Sequence, residues 1–165
     1  MYKKLETERL FIRPIQLEDS EFILELVNSE GWLKFIGDRN IKNKLDAENY
    51  IKKILGIPLF FYSVFELKTT GEKLGIITFL NRENKEYPDI GFALLPQFEK
   101  NGFTFEASSK YMETLKESGN YKIITGITIP ENSKSIKLLE KLGLTFQENV
   151  TEDEKIILIY SKEIM

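Results

Sequence analysis

The sequence predicts a mixed-sheet α/β fold of the α+β kind, with about seven strands and four helices. Apolar runs with the two-residue period of strands are interspersed with apolar stripes at the three- and four-residue spacing of helices. One predicted helix lies between two predicted strands and has the length of a crossover between parallel neighbours. The chain has 165 residues, 42% of them hydrophobic, which suits a single domain over residues 1–165.

Each element follows from a local pattern. The residues from Leu10 to Pro14 alternate between two faces and predict the first strand. The stripe from Phe22 to Val27 predicts a helix that ends before Gly31, and a second helical stripe runs from about Leu45 to Gly56. The later elements are strands at 59–67, 74–80, 90–95, 121–129, 144–150 and 155–161, and helices beginning after Gly102 and Asn132. The predicted order is β-α-α-β-β-β-α-β-α-β-β.

Composition excludes several kinds of site. With 23 basic and 26 acidic residues, a net charge of −3 and no block of one sign, we expect no nucleic-acid partner. Without cysteine or histidine, the chain cannot build a disulfide, a Cys- or His-ligated metal site or a Ser-His-Asp triad, and we expect no metal. The apolar run from Ile54 to Phe65 is shorter than the ~20 residues of a membrane span. The first residues lack a signal-peptide pattern, so we expect a cytoplasmic protein with no membrane partner.

The most informative segment, from Pro96 to Gly102, connects a predicted strand to a helix N-terminus. The unpaired N–H groups of a first helical turn bind anions. Gly102 permits close approach of the backbone, and Lys100 adds positive charge. The alternative is an ordinary strand-to-helix turn, because one glycine and one lysine do not make the Gly-rich fingerprint of a P-loop or dinucleotide site.

The same segment carries a family resemblance. The pattern Gln97-x-x-Lys100-x-Gly102, followed by a helix, resembles the pyrophosphate loop Gln/Arg-x-x-Gly-x-Gly/Ala of the GNAT superfamily of acetyl-CoA-dependent N-acetyltransferases. Two positions depart from that pattern. Lys100 replaces the usual first glycine, and Phe105 stands where a small or hydroxyl residue is common.

Further segments, in the same order, extend the resemblance over essentially the whole chain and toward the ribosomal-protein N-terminal acetyltransferase branch. They are Leu5-Glu6-Thr7-Glu8-Arg9-Leu10-x-x-Arg13-Pro14 with Leu17-Glu18-Asp19, Phe35-Ile36-Gly37-Asp38-Arg39, Asp89-Ile90-Gly91-Phe92, and Asn132-x-x-Ser135-x-x-x-Leu139-Glu140-Lys141-Leu142-Gly143-Leu144. The resemblance implies the GNAT-like acyl-CoA N-acyltransferase fold and direct attack of an amine on acetyl-CoA in a ternary complex.

The resemblance also implies how acetyl-CoA is held. The backbone amides from Phe98 to Phe103 would bind the pyrophosphate, and Asn132 would contact the pantetheine arm. The N–H groups of the strand at 90–95 would pair with the pantetheine amides and polarise the thioester carbonyl. The residues implied in cofactor binding are Phe92, Ala93, Leu94, Gln97, Phe98, Lys100, Asn101, Gly102, Phe103 and Asn132.

Catalytic residues are harder to assign. Many family members protonate the leaving thiolate with a tyrosine seven residues after the asparagine, and that position is Leu139 here. Ser135 then becomes the acid implied by the resemblance, the alternative being a first-turn residue that serves the helix backbone. Asp89 is the implied base, acting through water, and its alternative is a solvated turn carboxylate. A base matters less for an α-amine with a pKa of ~7.7–8.0 than for a lysine amine near ~10.4.

The acceptor side is implied to include Trp32, Phe35 and Arg39, in the connection between the first two helices. The alternative is that the two aromatic residues cap the core while Arg39 pairs with an acid. Phe61 and Tyr62, at a strand centre, are predicted to be core residues.

The expected partner is a small-molecule amine or a protein N-terminus, with the chain a monomer or a homodimer. Two alternatives to an acetyltransferase stay open. One is a CoA-binding module of the same fold with weakened catalysis, suggested by Lys100 and Leu139. The other is an unrelated phosphate- or nucleotide-binding protein.

Overall fold

A computed structural model describes residues 3–165. Its strands are β1 (Leu5–Glu6), β2 (Leu10–Pro14), β3 (Phe60–Leu67), β4 (Lys73–Leu80), β5 (Asp89–Leu94), β6 (Ile123–Thr128), β7 (Thr145–Glu152) and β8 (Lys155–Glu163). Its helices are α1 (Ser20–Val27), α2 (Glu30–Phe35), α3 (Lys44–Leu55), α4 (Phe103–Ser118) and α5 (Ser133–Lys141). Short 3-10 turns lie at Leu17–Asp19 and Pro96–Phe98.

The strands form one mixed sheet in the order β1-β2-β3-β4-β5-β6-β8-β7. All neighbouring strands are antiparallel except β5 and β6, which are parallel and are joined through α4. The mixed-sheet α/β class and the crossover helix are therefore confirmed. No helix within residues 3–165 is both long and apolar enough to cross a membrane.

Helices cover both faces of the sheet because successive strand residues point to opposite sides. Phe65 and Ile77 pack into a core with α4 and α5, whereas their neighbours Val64 and Ile76 pack into a second core with α1, α2 and α3. Both members of each pair are almost fully buried. The central strands are therefore apolar at nearly every position rather than at alternate ones.

The described residues contain eight strands and five helices, one more of each than expected. The additional strand, β1, has two residues, too few to show a period in the sequence. The additional helix, α2, corrects the predicted connection: Gly31 lies inside it and does not end the first helix. The first helix ends at Val27 because Asn28 Nδ2 donates to the carbonyl oxygens of Leu24 and Ile41, which turns the chain.

Beyond these differences, the element ends lie close to their expected positions, and two turn assignments are confirmed. Asn132 is the N-cap of α5, and Gly143, with a φ of 86°, follows that helix in the left-handed region. Asp153 and Glu154 both have positive φ values and form the turn between β7 and β8.

The feature of the sheet that matters most for function lies between β5 and β6. These strands share the single pair Asp89↔Thr125, although β5 pairs with β4 along its whole length. We call the space where the two strands diverge beyond that pair the β5–β6 gap. Since parallel strands place their carboxyl ends at the same edge, the segments after both strands meet at the open end of this gap.

Candidate active site

One wall of the β5–β6 gap is the backbone of β5. The Leu95 N–H donates to the Leu74 carbonyl at 2.9 Å, and this bond shows which N–H groups of β5 point toward β4 and which point away from it. The N–H groups of Phe92 and Leu94 therefore point away from β4 into the gap, while the N–H of Ala93 faces β4. The described residues provide no strand partner for the first two, so they are donors available to a bound group.

The second part of the site is the segment after β5, the 96–102 turn. Lys100 has a φ of 66° and Gly102 a φ of 76°, so the backbone passes twice through the left-handed region before α4 begins. The first helical hydrogen bond joins the Glu106 N–H to the Gly102 carbonyl. The expected range of free donors, Phe98 to Phe103, is wrong at its start, because the N–H groups of Phe98 and Glu99 already donate to the carbonyls of Leu95 and Pro96. Within residues 3–165, the N–H groups from 100 to 105 have no acceptor. Consecutive unpaired donors at the positive end of a helix dipole attract an anion.

Side chains from other elements hold this turn in place. Asn101 Nδ2 donates to the carbonyl oxygens of Phe98 and Glu99 at 3.1 and 2.9 Å. The Gln97 side chain is directed to α1, where Nε2 donates to Glu25 Oε1 at 3.0 Å. Gln97 thus ties the turn to a helix, while the exposed side chain of Lys100 forms no ion pair within residues 3–165.

The N-terminus of α5 lies beside the 96–102 turn, as the parallel strands require. Lys134 Nζ lies 2.6 Å from Glu99 Oε2 and connects the two segments. Asn132 Oδ1 accepts the Ser135 N–H at 3.2 Å, so this side chain caps the helix and keeps its Nδ2 group for other contacts. The structure therefore brings together Asn132, Ser135 and the turn, three predicted parts of one site.

Ser135 lies on the face of α5 that turns toward the sheet. It precedes Leu139 by four residues, and residues at that spacing share a helix face. Leu139 is 1% exposed, and its Cδ2 would overlap a β-carbon added at Gly126 of β6. The position where many family members carry a tyrosine is thus a core position here. The Ser135 hydroxyl, one turn earlier, forms no hydrogen bond to the described residues.

Asp89 occupies the opposite end of β5. At ~3.3 Å per residue, it lies about 17 Å along the strand from Leu94. The alternative of a solvated turn carboxylate is wrong, because Asp89 is 5% exposed and its Oδ1 lies 2.8 Å from Arg82 Nε. Burial alone would lower the pKa of Arg82, but the hydrogen bond and charge of Asp89 outweigh it and raise that pKa.

The acceptor-side residues divide between core and surface. Trp32 is buried with α1 and α3, and its Nε1 has no hydrogen-bond partner in the described part of the chain. Arg39 forms no ion pair there and lies with its Cζ 5.9 Å from the Trp32 ring centre, so the alternative in which it pairs with an acid is wrong. Phe35 is half-buried beneath Lys34. Tyr62 packs against the same core as Trp32, and burial raises its pKa.

Comparison with known proteins decides the family. The model of the acetyltransferase (GNAT) domain matches residues 9–145. The chain belongs to the GNAT family. It is 26% identical over 147 residues to the uncharacterized N-acetyltransferase YoaA of Bacillus subtilis, with 87% of this chain and 83% of that protein covered. Membership assigns the chain to the acetyl-CoA-dependent N-acetyltransferases and removes the unrelated phosphate-binding alternative.

Solved GNAT structures share the whole fold. The ribosomal-protein-S5-alanine acetyltransferase of Vibrio fischeri superposes with a TM-score of 0.82 at 18% identity, covering 98% of this chain and 97% of that one. RimL, a ribosomal L7/L12 α-N-protein acetyltransferase crystallised with coenzyme A, gives 0.85 at 12% identity, covering 98% of both chains. At these identities the likeness concerns the fold.

The GNAT site also contains residues that the sequence left without a role. Arg9 and Glu106 contact each other beside the 96–102 turn, and Arg82 holds Asp89. Arg9 belongs to the opening motif, but its partner is 97 residues away in the sequence. No local period could have paired them. Their only sequence signal is an arginine next to a predicted strand.

Proposed function

We propose that this GNAT protein transfers the acetyl group of acetyl-CoA to a primary amine, which attacks the thioester directly in a ternary complex. The observation that carries the proposal is the β5–β6 gap, with backbone donors along one wall and the 96–102 turn at its open end. An extended molecule with an anionic end matches that arrangement of donors.

The fit to acetyl-CoA rests on backbone groups. The unpaired N–H groups from 100 to 105 would hold the pyrophosphate, with Phe98 and Gly102 shaping the turn and Lys100 adding charge. The N–H groups of Phe92 and Leu94 would pair with the pantetheine arm and polarise the thioester carbonyl. Asn132 Nδ2 is free to contact the same arm. Acetyl-CoA would supply the activated acyl group.

Ser135 is our proposed acid. Its hydroxyl is not used by the helix backbone and lies on the sheet-facing side of α5, one turn before the buried Leu139. A thiol has a pKa near ~8.5, so its thiolate leaves readily and a single hydroxyl donor suffices.

Asp89 is our proposed base, acting through water on the acceptor ammonium. The ion pair with Arg82 occupies Oδ1 and leaves Oδ2 for a water molecule. Arg82 would then orient the carboxylate. Trp32, Phe35 and Arg39 would line the acceptor side as a mixed aromatic and cationic wall.

The acceptor that we propose is a protein N-terminus or a small amine. The structural neighbours named for ribosomal-protein substrates favour the first, although they share only the fold. We further propose that residues 1–165 act as a single domain, as a monomer or a homodimer. The second candidate function, a CoA-binding module with weakened catalysis, is motivated by Lys100 and Leu139.

The test is thiol release from acetyl-CoA in the presence of N-terminal peptides, amino acids, polyamines and aminoglycosides, alongside calorimetric titration with CoA. Acceptor-dependent release supports the enzyme. Binding without release for every acceptor class would favour the weakened module, and no CoA binding would overturn both.

Two variants test the proposed residues. Ser135→Ala should lower kcat by about 10²-fold or more with the Kd for CoA unchanged, because the hydroxyl acts only on the leaving group. Gly102→Val should instead weaken CoA binding, since a branched side chain disfavours the positive φ at this position. If a folded Gly102→Val protein binds CoA as the parent does, the 96–102 turn is not the pyrophosphate site.

A further inference from the structure

We propose that Arg9 is a positioning residue for the acetyl-CoA site, whose guanidinium holds the 96–102 turn in its anion-binding conformation. This inference rests on the proposed function and adds a residue from the N-terminal β1–β2 connection to it. Neither the strand-to-helix turn nor the gap contributes this group.

The contacts of Arg9 converge on the end of the turn. Its Nη2 donates to the Asn101 carbonyl at 3.0 Å, and its Cζ lies 4.4 Å above the ring centre of Phe103. A β-carbon added at Gly102 would lie 3.7 Å from the same Nη2. The Arg9 guanidinium thus contacts or borders three consecutive residues, Asn101, Gly102 and Phe103. These residues carry unpaired N–H groups and lead from the turn into α4.

Arg9 is itself held in place from α4. Its Nε donates to Glu106 Oε2 at 2.7 Å, and Glu106 Oε1 accepts both the Arg9 N–H at 3.0 Å and the Thr7 hydroxyl at 2.5 Å. Burial alone would raise the pKa of Glu106, but these hydrogen bonds lower it, so the carboxylate stays charged. The three side chains form a clamp, Thr7–Arg9–Glu106, between the β1–β2 connection and the first turn of α4.

The turn needs such a clamp for two reasons. Lys100 is a non-glycine residue in the left-handed region, and such a residue persists only where its surroundings enforce the conformation. In addition, the Glu106 carboxylate lies in the first helical turn, near the proposed phosphates, and would repel them if Arg9 did not neutralise it. The Arg9 guanidinium meets both needs.

The central experiment compares Arg9→Gln with Lys4→Gln. Both variants remove one positive charge from the first ten residues, but the Lys4 ammonium lies over the Phe11 ring and not beside the 96–102 turn. We expect Arg9→Gln to raise the Kd for CoA about tenfold, the usual effect of losing a hydrogen bond to a charged group, and Lys4→Gln to leave it within about twofold. The KM for acetyl-CoA should rise in parallel, with kcat at saturation unchanged within about twofold.

Two further arms separate positioning from simpler effects. Dephospho-CoA lacks the 3′-phosphate. If Arg9→Gln weakens the binding of CoA but not of dephospho-CoA, Arg9 contacts the 3′-phosphate directly, and the positioning role is overturned. Arg9→Gln/Glu106→Gln removes the repelling carboxylate as well. If it restores parental affinity, Arg9 acts only by neutralising Glu106, and the proposal is again overturned. Persistent loss in both arms supports it.

Failure of this inference is distinguishable from failure of the proposed function. If the parent protein does not bind CoA, the function itself fails. If the parent binds CoA and a folded Arg9→Gln protein, verified by its thermal transition, binds it equally well, only the role of Arg9 is overturned.

Discussion

Arg9 immediately precedes β2 and Arg13 lies within it, and each pairs with a carboxylate at the start of a helical segment, yet their surroundings differ. Arg13 donates to both oxygens of Asp19 at 2.8 and 2.9 Å and also contacts Glu66, and Asp19 is 1% exposed. The side chains of Arg9 and Glu106 are 43% and 20% exposed. Burial separates two pairs that look alike in the sequence.

The difference determines what each pair can do. Removing one partner of a buried pair leaves an uncompensated charge and costs about 3–5 kcal/mol, whereas exposed pairs contribute about 0.2–1 kcal/mol. Asp19 joins β2, β4 and the first 3-10 turn, since Lys73 Nζ also lies 2.8 Å from its Oδ1. The Asp19 cluster therefore serves stability. The Arg9 clamp contributes little to stability and instead fixes local geometry beside the 96–102 turn.

The largest expected effect follows from breaking the buried pair. Asp19→Asn leaves Arg13 and Lys73 without their shared negative charge, and we expect the free energy of unfolding to fall by about 3 kcal/mol. Urea denaturation measures it. Glu21→Gln is the matched control, because its pair with Lys44 is largely exposed, and it should cost less than about 1 kcal/mol. Equal losses in the two variants would contradict the comparison.

The same pair predicts how stability depends on pH. Burial alone would raise the pKa of Asp19, but hydrogen bonds from Arg13 and Lys73 outweigh it and lower that pKa. A carboxyl whose pKa is lower in the folded state stabilises the protein above the unfolded-state value of ~3.9 and loses that contribution as pH falls further. We expect a steep loss of stability below about pH 4, and a shallower one in Asp19→Asn. Parallel pH profiles would show that other carboxyls control the acid transition.

These clusters also mark the limit of sequence-based prediction. Strands and helices followed from periods that span a few residues, and Asn132 and Gly143 from the chemistry of helix ends. The 96–102 turn was found because a strand end and a helix start adjoin in the chain. By contrast, the sequence left open whether Asp89 is a base or a solvated turn carboxylate, since its burial depends on Arg82 and on Thr125 in a neighbouring strand. Long-range pairing of this kind leaves no local period.

A smaller effect is expected at the exposed pair. Arg9→Gln should change the free energy of unfolding by less than about 1 kcal/mol, because the Arg9 side chain is 43% exposed and the Thr7 hydroxyl and the backbone N–H of residue 9 still donate to the Glu106 carboxylate. Thermal unfolding without ligand measures it. Arg9→Gln is thus expected to change stability little and CoA affinity strongly, whereas breaking the Arg13–Asp19 pair is expected to change stability strongly. A loss comparable to that of Asp19→Asn would mean that the clamp is part of the structural core.

The smallest expected effect tests whether Arg9 works against the strain at Lys100. Glycine adopts the observed φ of 66° without the steric penalty of a β-carbon, so Lys100→Gly should relax the turn, whereas Lys100→Ala removes the same charge and keeps the strain. If strain is what the clamp opposes, Arg9→Gln should weaken CoA binding about two- to threefold less in the Lys100→Gly background than in the Lys100→Ala background. The measurement is the calorimetric Kd for CoA of four proteins: Lys100→Gly and Lys100→Ala, each with and without Arg9→Gln. Additive free energies would leave Arg9 acting on Asn101 and Phe103 alone, independently of Lys100.

The charge of Lys100 is tested separately, by measuring the Kd for CoA of the parent and of the two single Lys100 variants at several salt concentrations. A lysine that faces phosphate makes binding more salt-dependent than either uncharged replacement does.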